Sequence, residues 1–415
     1  MDLSDSTGFA SADRFDTSVH GATERFSVSP QQEDSPADEF PLQKNQSLVK
    51  VLHLINGEHY SGAERVQDLL AECLPDHGFE VGFACVKPLH FEQRRSYREA
   101  VIYETRMKHR FDLSVARKIA KLATENDYAI LHAHTPRTVM IARLAARLSG
   151  LPYVYHVHSP TSRDSTRSLT NHLNQWIENW SIKKAARLIT VSRSLSQHLQ
   201  TLGVSRKRIS VVRNGVAIVA DEAGRQQLTG NSVVGTVALI RPRKGIEVLL
   251  KSLAILKSQN KSIRLRAVGP FETESYKAEI MQLSKELQVE ELVDWVGFTS
   301  DVTAELNQID LFVLPSLFGE GLPMVVLEAM ACGVAVIGTD VEGIPEALRD
   351  GVDGLIARAN DPADLADKIS SAMSDRAKLV EMGKNARRRQ RECFSDQSMA
   401  AGVAAAYRHV LNEFA

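Results

Sequence analysis

The chain has 415 residues, 43% of them hydrophobic and 24% charged, with a net charge of −1. That length accommodates two domains and that composition an ordinary globular protein, while the near-neutral balance excludes a global pull toward nucleic acid. Four scattered cysteines, Cys73, Cys85, Cys332 and Cys393, include no C-x-x-C pair, which argues against a disulfide framework or a zinc site and fits a reducing compartment. No apolar run reaches the ~18 residues of a membrane span, and the N-terminus is expected to carry no secretory signal.

Residues 1–47 hold nine acids and three bases and are rich in Ser, Asp, Gln and Pro, so they are expected to form a disordered acidic tail. At Leu48 the pattern changes. Strands are expected at Val49–Ile55, Glu80–Val86, Ala129–His132, Tyr153–His158, Leu188–Val191 and Ile209–Val212. Helices are expected between them at Ala63–Leu74, Phe111–Asn126, Thr138–Leu148, Leu169–Ala186 and Ser194–Leu202. After a polar linker at Ala220–Asn231, a second series follows. Its strands are Val233–Leu239, Ile263–Val268, Val293–Val296, Leu311–Leu314 and Val334–Thr339. Its helices are Ile246–Ser258, Glu274–Leu287, Val302–Gln308, Leu322–Cys332, Pro362–Met373, Arg376–Phe394 and an amphipathic Ser398–Phe414. Such alternation predicts an α/β fold with two Rossmann-like domains, residues 48–218 and 219–394, and a C-terminal helical segment, 395–415. Ligands of open α/β sheets bind beyond the carboxyl ends of the strands, so the candidate residues are sought there.

The stretch from Leu322 to Ile337 has one charge, Glu328. A carboxylate in so apolar a segment needs either a structural cation or a ligand. Glu320 stands in the Gly-flanked turn just before it, and Gly321, Leu322, Pro323 and Met324 lead into the helix, whose free N–H groups suit a phosphate. Elsewhere, Gly62 opens a helix after the first strand. Arg241, Arg243 and Lys244 precede another helix start, where three cations are either a solvated turn or a phosphate clamp. His158 ends a strand and His156 shares its face, while His132 and His134 end a neighbouring strand. Residues 93–117 hold seven bases, Arg94 and Arg95 among them, and three acids.

The run Gly319-Glu320-Gly321-Leu322-Pro323, continued by Glu328-Ala329-Met330-Ala331-Cys332-Gly333, closely resembles the donor-site signature of family 4 (group 1) retaining glycosyltransferases of the GT-B fold. Other stretches resemble the same family. Gly62-Ala63-Glu64-Arg65 is similar to its first loop, with Ser61 replacing a glycine. Pro152-x-Val154-x-x-x-His158 is similar to its sugar-contacting strand. Pro242, Lys244 and Gly245 fit its basic loop, although Leu239 stands where the family has arginine, leaving Arg241 or Arg243 to supply that charge. The resemblance implies two Rossmann-like domains facing across a cleft, the first binding the acceptor, the second the nucleotide sugar, with the last helix crossing back to the first.

It further implies His158, Glu320 and Lys244 as catalytic residues. Gly62, Arg241, Arg243, Lys244, Phe298, Glu320, Gly321, Leu322, Pro323, Met324 and Glu328 would bind the donor, with Phe298 bordering the base and Glu328 taking ribose hydroxyls. His134, His156, Arg94 and Arg95 fall on the acceptor side. The partners implied are a nucleotide-diphosphate sugar, a saccharide or lipid-linked acceptor and a peripheral anionic membrane surface, with no nucleic acid. No Asp-x-Asp motif accompanies the cleft, so neither cofactor nor metal is expected. The expected place is the cytoplasm, including the inner face of the membrane. An epimerase or phosphorylase of the same fold, or a silent sugar-nucleotide sensor, are the alternatives.

Overall fold

The structure, a computed structural model, describes residues 47–58, 60–109, 112–159, 179–220 and 232–414. The acidic tail, the linker and most of the helix expected at Leu169–Ala186 lie outside the described residues, although 179–182 are helical.

Two wholly parallel sheets organise the rest. The first has seven strands in the order β3-β2-β1-β4-β5-β6-β7. They are β1 Val49–Ile55, β2 Phe79–Cys85, β3 Ile102–Glu104, β4 Tyr128–Ala133, β5 Tyr153–Val157, β6 Arg187–Thr190 and β7 Ile209–Val211. The second has six in the order β10-β9-β8-β11-β12-β13. These are β8 Ser232–Val237, β9 Ile263–Val268, β10 Val293–Gly297, β11 Leu311–Leu314, β12 Ala335–Thr339 and β13 Gly354–Ala357. Central strands covered on both faces read as unbroken apolar runs, and Phe312, Val313, Val336 and Ile337 are fully buried. This is the α/β two-domain GT-B arrangement.

In each sheet the strand order reverses once, between β1 and β4 and between β8 and β11. A crevice opens at such a reversal, because the connections on its two sides run in opposite directions. The loops holding Gly62 and His134 lie at the first reversal. Those holding Lys244 and Glu320 lie at the second.

The differences from expectation sit at edges and ends. The strands β3 and β13 are short edge strands with too few residues to show a period. The helix expected from Phe111 begins at Ser114, whose backbone N–H donates to the Asp112 carboxylate at 3.2 Å. The helix expected from Leu322 begins at Met324, with Pro323 extended at its N-cap. Proline disfavours a helical residue before it, so Leu322 stays in the loop.

The final helix, Asp396–Phe414, packs under the first sheet. Its Tyr407 is fully buried and lies edge-on to Phe79, ring centroids 5.1 Å apart. The chain reaches it by close backbone contact: a Cβ on Gly215 would sit 2.1 Å from the Ser395 carbonyl oxygen. Among the described residues no helix is long and apolar enough to cross a membrane.

Candidate active site

The strand β8 runs out into a short 3-10 turn, Pro242–Lys244, closed by Gly245 at φ +67°. A Cβ there would lie 2.0 Å from the Pro315 carbonyl oxygen, so only glycine lets this loop press against the one following β11. That contact brings the charges together. Glu320 Oε1 accepts from three donors: Lys244 Nζ at 2.5 Å, the Ser316 hydroxyl at 2.7 Å and Arg243 Nη1 at 3.3 Å. Arg243 also donates to the Gly319 carbonyl at 3.0 Å.

Glu320 is 5% exposed. Burial alone would push its carboxyl up, but Lys244 and Arg243 outweigh it and hold the group below the usual carboxylate range. Burial pulls the Lys244 ammonium down against the opposing pull of Glu320. Arg241 adds only its charge, which helps pull Lys244 down; its guanidinium turns to Glu272 at 3.3 Å. Arg243 is therefore the arginine that joins Lys244, and Leu239 is left 44% exposed.

The Glu320 backbone is held from both sides. Its N–H donates to Glu342 Oε2 at 2.5 Å and its carbonyl accepts from Gly343 N–H at 3.2 Å. Next, Gly321 meets the first domain, where a Cβ would lie 2.0 Å from the His158 carbonyl oxygen. Asn214 Nδ2 donates to the Leu322 carbonyl at 2.8 Å. The side chains of Leu322 and Met324 are buried. One turn further along, Glu328 is buried, and its Oε1 accepts from Arg65 Nη2, on the first domain's helix Gly62–Cys73. Glu328 Oε2 is buried with no hydrogen-bond partner among the described residues.

The first domain's wall is made of imidazoles. The strand register sets His53 beside His132, and alternation puts His132, His134, His156 and His158 on one face. His158 Nε2 lies 3.1 Å from His134 Nδ1. Tyr407 Oη joins His53 Nε2 at 2.9 Å and His132 Nδ1 at 2.5 Å. His156 stacks between His132 and His158, and neither of its ring nitrogens has a hydrogen-bond partner among the described residues. Burial lowers all five, His158 to about 4 and His53 to about 3, so the wall is neutral at pH 7. Two trios, His53–His132–His134 and His134–His156–His158, have ligand atoms close enough to suit a metal ion.

Residues 60–218 match the family model described as Glycosyltransferase Family 4, and residues 221–389 the one described as Glycosyl transferases group 1. This chain belongs to the family 4, group 1 glycosyltransferases. It is 27% identical over 371 residues to the UDP-Gal:alpha-D-GlcNAc-diphosphoundecaprenol alpha-1,3-galactosyltransferase of Escherichia coli, covering 83% of this chain and 93% of that protein. To the putative colanic acid biosynthesis glycosyltransferase WcaL of Escherichia coli it is 28% identical over 245 residues, covering 56% of this chain and only 59% of that protein. Among solved structures, the Anabaena HepE complex with UDP and glucose superposes with a TM-score of 0.75 at 21% identity, over 87% of this chain and all of that one.

In this glycosyltransferase the remaining candidate residues take different places. Phe298 is 61% exposed, and the Arg94 guanidinium lies 4.9 Å above its ring, joining the two domains across the cleft mouth. Arg95, placed on the acceptor side by the sequence, is instead turned into the fold. It is buried and donates to the Ala100 carbonyl at 2.7 Å, because carbonyls buried in that loop need donors. Gly62 faces open space, with nothing within 4 Å of an added Cβ. Sequence reasoning passed over Arg65, Ser316, Glu342 and Asn214. Each acts on a residue far away along the chain or on a turn that only the fold closes, although Arg65 stands in the quoted first loop.

Proposed function

We propose that this glycosyltransferase moves a hexose from a nucleotide-diphosphate sugar to a hydroxyl of a saccharide or lipid-linked acceptor, retaining the anomeric configuration. The convergence of Lys244 and Arg243 on Glu320, at the strand reversal and against His158, carries this reading. Charge that grows on the leaving diphosphate during transfer is best met by donors already in place. Lys244 and Arg243 are such donors, held by Glu320 and by the Gly319 carbonyl. They supply the positive charge that a divalent ion supplies in other diphosphate sites. Glu328 Oε2 is the acceptor left for a ribose hydroxyl. Glu320 faces the sugar and balances positive charge at the anomeric carbon. The His158 backbone, pressed on Gly321, brings the acceptor-side wall within reach of the sugar.

A complex of UDP and glucose in a neighbour of the same fold, and a lipid-diphosphate acceptor in the name of a relative, support the substrate classes. The bases near Arg94 are proposed to meet the anionic diphosphate of such an acceptor, or the membrane surface that carries it.

The experiment incubates the enzyme with UDP-, GDP- and ADP-hexoses and an undecaprenyl-diphosphate-sugar acceptor, with and without EDTA. Nucleoside diphosphate is expected to be released only with acceptor present, unaffected by EDTA, and the product's new bond to keep the donor's configuration by NMR. Inverted product overturns the retaining assignment. Loss of turnover in EDTA overturns the metal-free one. Release or isomerisation of donor without acceptor turns the reading into an epimerase or phosphorylase, and binding without turnover into a sensor.

A further inference from the structure

Glu328 is the one charge on the helix Met324–Ala331, and its partner comes from the other domain. Arg65 lies on the first-domain helix Gly62–Cys73, one turn from its start, its side chain one-third exposed while that of Glu328 is 10% exposed. The two oxygens of Glu328 are unequal. Oε1 is taken by Arg65, whereas Oε2 is buried and has no partner among the described residues. A buried oxygen of an ionised carboxylate is costly to leave unsatisfied, so this geometry is that of a site waiting for one more donor. The ion pair also ties that site to domain closure, because Glu328 keeps a counter-charge only while the domains are together.

We propose that Arg65 is a positioning residue for donor binding: by holding Glu328 Oε1 across the cleft it aims Oε2 at a ribose hydroxyl, so that ribose recognition and domain closure support each other. This rests on the nucleotide-sugar reading above. Coupling of this kind is reciprocal: whatever closure contributes to ribose binding, ribose binding contributes to closure. In this reading Glu328 meets only the ribose, so its effect on preference is confined to the ribose hydroxyls.

That confinement gives the test. Affinities of UDP and 2′,3′-dideoxy-UDP are measured by calorimetry for the parent, Arg65→Ala and Arg65→Lys, with circular dichroism as a check on folding. GDP or ADP and its dideoxy form replaces UDP if it binds the parent more tightly. The parent is expected to prefer the full nucleotide by about tenfold or more, the worth of a hydrogen bond to a charged group. In Arg65→Ala that preference should collapse to less than about threefold, the full nucleotide losing more affinity than the dideoxy form. Arg65→Lys should restore part of it, and serves alone if the alanine variant does not fold. An unchanged preference in both variants overturns the proposal and leaves the donor reading standing, as does tighter binding of the full nucleotide to Arg65→Ala, which would make the pair a block. No preference in the parent overturns the ribose role of Glu328 itself. Failure of UDP, GDP and ADP all to bind overturns the nucleotide-sugar reading and this proposal with it.

Discussion

The two walls of the cleft are both buried and polar, yet they solve burial in opposite ways. The second domain's wall keeps its groups ionised and pairs them: Lys244 and Arg243 against Glu320, with Ser316 adding a neutral donor. The first domain's wall discharges its groups: five imidazoles stay neutral, four of them in stacked pairs and His53 edge-on to His132, and Tyr407 from the last helix bonds two of them. A paired ionic wall suits a ligand that brings negative charge, since two cations share one carboxylate there. A neutral wall suits an uncharged sugar or hydroxyl, because a fixed charge there would have to be desolvated each time the cleft closes.

Acid should separate the walls most strongly. The five histidines have folded pKa values below the unfolded ~6.5, so their share of stability is complete above that value and is lost as pH falls toward the folded values, about 4 for His158 and about 3 for His53. Each contributes a slope of up to about 1.4 kcal/mol per pH unit. Glu320, also depressed, keeps its share above the unfolded ~4.3 and loses it only below. Urea midpoints are therefore expected to fall steeply between pH 6.5 and 5, and less steeply in His156→Phe. A midpoint that stays level down to pH 5 would mean that the first wall is not discharged by burial.

Removing a charge from the paired wall comes next in size. Lys244→Ala should lower turnover by roughly 1000-fold, about 4 kcal/mol, and Arg243→Ala by roughly 100-fold, as for donors lost from a site where charge develops. Steady-state rates at saturating acceptor check both, and parent-like turnover in Lys244→Ala would move the donor site elsewhere.

The smallest effect is the sharpest on one point. Arg241 points away, to Glu272 at the surface, so Arg241→Ala should change turnover by less than about threefold and stability by no more than about 0.5 kcal/mol. A loss equal to that of Arg243→Ala would show that both arginines serve the diphosphate and that the outward pose of Arg241 changes when donor binds.

Much of this was readable in the chain. The strand–helix alternation named nearly every central element, because buried parallel strands are continuous apolar runs and their helices carry a 3.6-residue stripe. The edge strands Ile102–Glu104 and Gly354–Ala357 escaped, being too short for any period. Glu320, Lys244 and His158 stood out at strand ends through the resemblance of their stretches to the family's signatures. The choice between Arg241 and Arg243 could not be read, since both lie in one loop with the same charge.

What the sequence determined by itself was local: which segments are strands and helices, where glycine must stand for a loop to close, and that an acid as isolated as Glu328 requires a partner. Only the tertiary structure decided who the partners are. Arg65 reaches Glu328 from 263 residues away along the chain, and Tyr407 reaches His132 from 275 residues away. The reason is physical. Propensity and periodicity act over a few residues, whereas a buried charge or imidazole is satisfied by whatever the packed sheets bring beside it, and that depends on strand order and domain closure rather than on its neighbours in the chain.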